Sequence, residues 1–322
     1  NEMSYFGNFL GNYLTNTLQV DNNNVVNYKM DVLDHNIGGN FYIGDVEFSL
    51  EYSKIYYNKI HGERISGYRN YFSTNFDIFD FNILYEYKDY NTPFLYSIFS
   101  NPPTCFKETN SALISRNLHS IDFSNEIGHQ FVIDRSFENL SLNINYAFAY
   151  KHLNIIDNNI SEPSISDIFS NMFSFDDINE FSSFLPYKQF YIEVNGWTNN
   201  KNIFYKIGFD DYSEFVNTDS PSSVNEDGLT FMEPNKIIKA YTIPMQFSFL
   251  LNSGNSFSLY FESQKLEYKN LNDSYNSFYI VPSFHFDKKI IFSIFYDLEN
   301  GDLNDGTSSS KDWIGSDLTY YI

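Results

Sequence analysis

The sequence LSLNINYAFAYK, at residues 140–151, alternates strictly between two kinds of side chain. Every second residue from Leu140 to Tyr150 is large and apolar or aromatic, whereas those between are serine, asparagine and alanine, followed by Lys151. Because successive side chains of a β-strand point to opposite faces, this period of two predicts a strand with one apolar and one polar face. A run of about ten residues is also what a tilted strand needs to cross the hydrocarbon layer of a bilayer.

The same alternation recurs along most of the chain. It predicts about twelve to sixteen antiparallel strands connected up and down, with the polar turn Asp287-Lys288-Lys289 between two of them. In residues 42–53 and 79–88 we expect the polar row to contain Asp45, Glu47, Glu51, Asp80 and Glu86. The other runs are 13–20, 25–33, 68–77, 118–133, 140–151, 189–197, 202–212, 241–251, 257–264, 278–286 and 290–296.

The aromatic content distinguishes a membrane barrel from a soluble β-sandwich. The chain of 322 residues contains 34 Phe and 27 Tyr, and these crowd the apolar rows of consecutive strands. A sandwich core about 10 Å thick favours smaller Val, Ile and Leu, whereas rings that face lipid have room, and Tyr at strand ends fits the aromatic girdles of barrels. The sequence therefore predicts an all-β, antiparallel, up-and-down transmembrane β-barrel in a bacterial outer membrane.

Charge and cysteine content exclude several other classes. The net charge of −21 disfavours nucleic-acid binding, which needs clustered Lys and Arg, and the single Cys105 rules out an intramolecular disulfide. No stretch has the roughly 20 apolar residues of a membrane-spanning helix. The N-terminus lacks the apolar core of a signal peptide, so we expect that the chain begins after a cleaved leader.

Two segments break the strand pattern. Residues 91–117 contain Thr92-Pro93 and Asn101-Pro102-Pro103-Thr104, and prolines cannot donate to a central ladder, so we predict a long loop. Residues 154–187 have apolar residues at spacings of three and four, which favours short amphipathic helices. This excursion either folds into the lumen, lies across the mouth or packs on the surface. The chain is otherwise predicted to be one barrel domain, residues 1–322.

The sequence contains no motif for catalysis. The histidines are scattered and form no zinc-binding pair, there is no serine elbow or phosphate-binding loop, and Asp302, Asn304 and Gly306 depart from the calcium-loop spacing. His119 and His129 fall on one predicted strand near Glu126, where bonded lumen or loop histidines are favoured over a metal-binding or pH-sensing cluster. We predict no enzyme, no metal and no cofactor.

Residues 101–130 read NPPTCFKETNSALISRNLHSIDFSNEIGHQ. This segment resembles an uncharacterised outer-membrane β-barrel family of Bacteroidota, whose members show a Pro-Pro-Thr loop, an Arg-Asn-x-His element and a Glu-x-Gly turn in that order. Here these match residues 102–104, 116–119 and 126–128. The resemblance implies a fold and a cellular location but no chemistry. It also implies further closing strands, so we expect the given chain to be incomplete at one or both ends.

The leading functional prediction is a passive outer-membrane barrel with membrane lipid around it. It is either a pore whose acidic interior is lined by Asp45, Glu47, Glu51, Asp80 and Glu86 and favours cations, or a barrel plugged by its loop 154–187. A second hypothesis is a scaffold or accessory subunit that binds other outer-membrane proteins in a complex for secretion or surface attachment. A third is a soluble, secreted β-sandwich that binds glycans through exposed aromatic residues.

Overall fold

The structure is a computed structural model, and it describes most of the strands predicted above. The described residues are 3–21, 24–58, 64–91, 110–117, 119, 125–151, 187–216, 221–224, 230–232, 236–251, 254–269, 271–287, 289–304 and 306–321. The predicted helices of residues 154–187 lie outside the described residues, except for Tyr187 at their end. Most of the predicted loop 91–117 also lies outside them.

The described chain is almost entirely β-strand. One short 3-10 helix, η1, spans Ile114–Asn117. The strands are β1 Met3–Asp21, β2 Asn24–Ile43, β3 Val46–Asn58, β4 Arg64–Ile78, β5 Phe81–Asn91, β6 Asn125–Ser136, β7 Leu140–Tyr150, β8 Tyr187–Trp197, β9 Ile203–Val216, β10 Pro221–Val224, β11 Thr230–Met232, β12 Lys236–Leu250, β13 Ser256–Tyr268, β14 Asp273–Phe286, β15 Ile290–Asp302 and β16 Ser308–Tyr320. Among these residues no helix is long and apolar enough to cross a membrane.

The chain divides into two compact units. Unit 1 contains residues 1–105, 120–131 and 149–162, and unit 2 contains residues 106–119, 132–148 and 163–322. In unit 1 the strands are hydrogen-bonded in chain order from β1 to β6, and in unit 2 the order is β7, β8, β9, β12, β13, β14, β15, β16. The two short strands β10 and β11 form a separate ribbon. Every neighbour whose register is defined is antiparallel. The described residues form fourteen main strands, within the predicted number of about twelve to sixteen.

Two hairpin turns in unit 1 correct the predicted strand boundaries. Ile43 pairs with Val46 and Ile78 pairs with Phe81, so the residues between them form two-residue turns. Phe79 and Asp80 have φ values of 51° and 64°, the left-handed backbone that this kind of hairpin turn requires. Residues 42–53 and 79–88 were predicted as uninterrupted runs, and that interpretation is wrong at these turns.

Two further boundaries differ from the prediction. Strand β6 begins at Asn125, so His119 and His129 do not share a strand. Strand β16 was missed, whereas the turn after Phe286 is confirmed by the bond from the Lys289 N–H to the Phe286 carbonyl oxygen, 3.0 Å.

Where side-chain burial is described, the two faces of the main strands are buried in the opposite sense to those of a soluble protein. On the apolar face, large side chains are exposed, with Ile37 at 64% and Ile314 at 78%. On the polar face, Lys88, Thr242 and Glu262 are each 0% exposed. Other exposed members of the apolar rows are Leu50, Tyr52, Ile207, Phe209, Ile243, Phe278, Phe284, Phe286, Ile290, Ile294, Tyr296, Leu318 and Tyr320.

Candidate functional site: the polar faces and the segment 110–119

Three of the five predicted lining residues share the polar face of unit 1. Glu47, Glu51 and Glu86 occupy the same face by strand register. Glu51 accepts a hydrogen bond of 2.7 Å from Asn36 Nδ2, and Glu86 accepts one of 2.5 Å from the hydroxyl of Tyr71. The carboxylates of Glu51 and Glu86 are therefore held in position by neighbours on adjacent strands.

The other two predicted lining residues lie elsewhere. Asp45 and Asp80 are exposed and occupy the two-residue turns before β3 and β5. Each was assigned to the polar row because alternation appeared to run through the turn. Side chains in a turn do not belong to either face of the sheet, so the assignment of these two residues to the strand face is corrected.

A buried ion pair that the sequence did not reveal lies on the same polar face. Lys88 Nζ contacts Glu126 Oε1, and both side chains are only 1% exposed. Lys88 Nζ also lies 5.9 Å from the centre of the Tyr90 ring, within the range of a cation–π contact. The only sequence signal for this ion pair was that Lys88 occupies a polar position in the alternating pattern. Nothing in the sequence indicated that Glu126 would face it.

In unit 2, residues 110–117 and 119, called the segment 110–119 below, pack on the polar face. Ser111, Leu113 and Ile114 are at most 4% exposed. The hydroxyl of Ser111 accepts a 3.1 Å bond from the Ile114 N–H, and its carbonyl accepts one of 3.1 Å from the Ser115 N–H. Serine is a preferred residue at this position because its side chain satisfies a free N–H of the first turn. These bonds set the start of η1.

Glu262, on β13, binds the main chain of this segment. Its two carboxylate oxygens accept hydrogen bonds from the N–H groups of Ala112, 2.8 Å, and Leu113, 2.6 Å. The hydroxyl of Tyr260 also donates to Glu262. Hydrogen bonds to a charged acceptor are the stronger kind, so this carboxylate is the central anchor of the segment.

Gln264, two residues further along β13, completes the contact. Its Nε2 donates to the carbonyl of Leu113, 3.0 Å, and to Oγ1 of Thr242, 2.8 Å, while its Oε1 accepts a bond of 3.2 Å from Asn117 Nδ2. Three of the four possible bonds of this buried amide are therefore made. This pairing fixes the position of η1 along the strand.

The Arg-Asn-x-His element reaches three different strands. Arg116 forms an ion pair with Asp297 on β15, and Asn117 bonds to Gln264 on β13. His119 Nδ1 lies 2.7 Å from Glu214 Oε1 on β9, and the His119 ring stacks on Tyr187 with centroids 4.0 Å apart. These polar side chains attach the segment to strands far away in sequence.

A ladder of polar and aromatic side chains continues along β8 and β9. The hydroxyl of Tyr187 donates to Gln189, 2.8 Å, and Gln189 donates to Asp210, 2.7 Å. Tyr191 donates to Glu193, 2.5 Å, and Glu193 also pairs with Lys206, 2.7 Å. The alternating pattern predicts strands here, but it does not distinguish these carboxylates from other polar residues of the row.

Acidic groups outnumber basic ones on the polar rows of the described strands. In unit 1 the strand register places Glu47, Glu51, Asp77, Glu86 and Glu126 there, against Arg69 and Lys88. On β8, β9 and β12–β16 it places Glu193, Asp210, Glu214, Glu262, Asp273, Asp297, Glu299 and Asp317 there, against Lys206 and Lys311. The described residues contain no group of three or more possible metal ligands in a suitable arrangement.

Comparison with known proteins gives only distant similarities. No protein-family profile matches the chain, and no curated protein matches its sequence. Among solved structures, a bacterial polysaccharide outer membrane secretin is similar over 98% of this chain and 91% of its own, at 12% identity and a TM-score of 0.32. The outer membrane protein OmpT of Vibrio cholerae, in its trimer form, is similar over 99% of this chain and 99% of its own, at 8% identity and a TM-score of 0.36.

A third similar structure is OmpF of Salmonella typhi in complex with daunomycin, at 8% identity and a TM-score of 0.37, covering 99% of this chain and 97% of its own. Sequence identities and TM-scores this low say nothing about the activity of this chain. The architecture described above therefore follows from the strands of this chain itself.

Proposed function

We propose that the chain is an outer-membrane β-barrel protein whose polar face encloses a hydrated, acidic channel. The observation that supports this most is the inverted burial: aromatic and aliphatic rows are exposed while carboxylates, amides and Lys88 are buried. A soluble β-sandwich would bury its apolar faces against each other, the reverse of this pattern. Lipid acyl chains are the surroundings in which such apolar rows are stable.

In this proposal the segment 110–119 narrows the channel. It rests on the polar face through Glu262, Gln264 and Glu214, and it adds only Arg116 and His119 to a surface rich in carboxylates. A fixed negative field favours cations over anions. We therefore propose a narrow, cation-selective passage, not an enzyme, in a bacterial outer membrane and surrounded by lipid.

The lengths of the connections support an orientation for this barrel. One end of the meander has short turns, at residues 44–45, 79–80, 137–139, 198–202, 251–255 and 287–289. The other end has the long connections 92–124, 151–186 and 217–235 beside shorter ones, such as 269–272 and 303–307. Barrels of the outer membrane have short periplasmic turns and longer external loops. We propose that the short-turn end faces the periplasm. We also propose that the chain belongs to the outer-membrane β-barrel family of Bacteroidota that the segment 101–130 resembles.

Planar bilayer recording tests the channel. The purified chain should need detergent to stay dispersed, should run faster on a gel when unheated, and should conduct cations in preference to anions under a salt gradient. The double variant Glu47→Gln, Glu51→Gln should lower the cation preference, whereas Asp45→Asn, in a turn, should change it less. Heat-modifiable protein that inserts without conducting, or that prefers anions, contradicts the channel, and the first result favours the accessory-subunit hypothesis.

A further inference from the structure

A cavity of about 480 Å³ lies in unit 2 at the short-turn end of the polar face. Its walls are the β6–β7 turn with the first residues of β7, the last residues of β8, the β8–β9 turn, and one residue each of β9 and β12. Ligand sites commonly have volumes of roughly 300 to 1,000 Å³. The cavity is therefore large enough for one or two sugar rings, and it lies apart from the segment 110–119.

The cavity wall is held in place by main-chain hydrogen bonds. The Trp197 N–H donates to the Asn139 carbonyl, 2.9 Å, and the Phe137 N–H donates to the Leu140 carbonyl, 2.7 Å. A side chain at Gly196 would place its Cβ 2.2 Å from the Asn139 carbonyl oxygen, so glycine is what allows this close approach. The cavity is thus formed before any ligand binds.

An indole ring forms one side of the cavity. Trp197 is 39% exposed although it is a large aromatic residue on the polar face. Its ring contacts Phe204 with centroids 5.4 Å apart and planes inclined at 57°, so Phe204 does not cover the indole by parallel stacking. An aromatic face of this kind is a platform for the apolar side of a flat or ring-shaped ligand.

Phe137, Leu140 and Leu250 add further apolar surface to the lining, and the polar groups beside them are nearly balanced in charge. Glu138 provides a carboxylate, Lys201 an ammonium group, and Ser141 and Asn195 a hydroxyl and an amide. One carboxylate is too few to hold a metal cation, and one lysine is too few to select a phosphate. Hydroxyl groups, which both donate and accept, match this mixed set of donors and acceptors.

We propose that this cavity, defined by Trp197, Phe204, Glu138, Ser141, Asn195 and Lys201, is a saccharide-binding site. A pyranose ring has an apolar C–H face that fits the indole and a rim of hydroxyls that fits Glu138, Asn195 and Lys201. The site goes beyond the proposed channel function and does not require conductance. Binding can be measured in detergent, so its failure and failure of the channel are separate results.

The two tryptophans of the chain allow a direct experiment. In a Trp313→Phe background Trp197 is the sole indole fluorophore. Titration with maltose and with diacetylchitobiose should give a saturating change in its emission for at least one disaccharide, and sorbitol, which has hydroxyls but no ring, should give none. A response to sorbitol equal to that of both disaccharides, or no saturable response to any of the three, would overturn the proposal.

Two variants localise the binding by calorimetry. Trp197→Leu and Glu138→Gln should each weaken it, the first by roughly tenfold. Glu138 is an exposed turn residue, so its variant tests the site even if Trp197→Leu fails to fold. Lys289→Met, in the β14–β15 turn outside the cavity, is the matched control and should bind normally. If Glu138→Gln and a folded Trp197→Leu both bind the disaccharide with wild-type affinity, the sugar binds outside this cavity and the proposal is wrong.

Discussion

The carboxylate of Glu262 accepts a hydrogen bond of 2.6 Å from the main-chain N–H of Leu113, a residue 149 positions earlier in the chain. The neighbouring N–H of Ala112 binds the other carboxylate oxygen, 2.8 Å. One side chain of β13 therefore holds the start of η1 on the polar face. In the proposed channel, this contact sets how much of the passage the segment 110–119 fills.

Replacing Glu262 by glutamine should release the segment. The amide has one acceptor oxygen, and its NH₂ group would face a main-chain N–H, so at least one bond to a charged acceptor, about 1.5 to 3 kcal/mol, is lost. We expect higher single-channel conductance and faster trypsin cleavage after Arg116. Glu299→Gln, which alters an exposed pair with Lys311 on the same face, is the control. Unchanged conductance together with unchanged cleavage would show that Glu262 does not anchor the segment.

Lys88→Met should destabilise the chain strongly. Glu126 would then be a buried carboxylate without its cation, a change that typically costs about 3 to 5 kcal/mol. The double variant Lys88→Met, Glu126→Gln should recover much of this loss, because neither position of the pair then carries a charge. Urea unfolding in detergent measures both. Lys265→Met, an exposed lysine paired with Glu267, should have little effect. If Lys88→Met is as stable as the double variant, the stabilities of Lys88 and Glu126 are not coupled and the prediction is wrong.

The alternating pattern predicted the strands well because, along the whole length of a strand, one face is polar and buried and the other is apolar and exposed. Strand β7 spans Leu140–Tyr150, all of the predicted run 140–151 except its last residue. The pattern failed at the turns, because a two-residue turn shifts the phase of alternation by one. An uninterrupted run over residues 42–53 puts Tyr42 in the same apolar row as Phe48, whereas Tyr42 pairs with Glu47 on the polar face. Phe79 in particular gives no turn signal, since a bulky residue at positive φ is uncommon.

Strand β16 was missed for a different reason. Trp313 and Ile314 are adjacent, and Ser308, Ser309 and Ser310 begin the strand, so neither a period of two nor β-propensity marks it. Its register comes from pairing with β15, as between Tyr296 and Ile314. The candidate site could not be predicted either. Its contacts join residues about 150 positions apart, and a single sequence does not show which strand a loop will meet.

Gly196→Ala should lower stability even though the added methyl group is small. Its Cβ would lie 2.2 Å from the Asn139 carbonyl oxygen, and a main-chain atom cannot move aside as a flexible side chain can. We expect a loss of about 1 to 3 kcal/mol in urea unfolding, as for other overpacked sites. Gly254→Ala, at another short turn, meets nothing closer than 3.4 Å and should be nearly neutral. Equal stability of the two variants would mean that the β6–β7 turn does not rest on β8.

A pair of adjacent residues on β14 tests the surroundings of the apolar face. Phe284 belongs to the apolar row and is 40% exposed, whereas Ser283 lies on the polar face and bonds to Ser293. In water, arginine at an exposed position is harmless, but on the lipid-facing side it costs from about 1 kcal/mol near the interface to roughly 2 to 4 kcal/mol at the midplane. We therefore expect Phe284→Arg to lose heat-modifiable mobility and vesicle insertion, and Ser283→Arg to retain both with a modest loss of stability. If Phe284→Arg instead inserts and unfolds like Ser283→Arg, the aromatic rows do not face lipid, because only a hydrated surface accepts that charge without penalty.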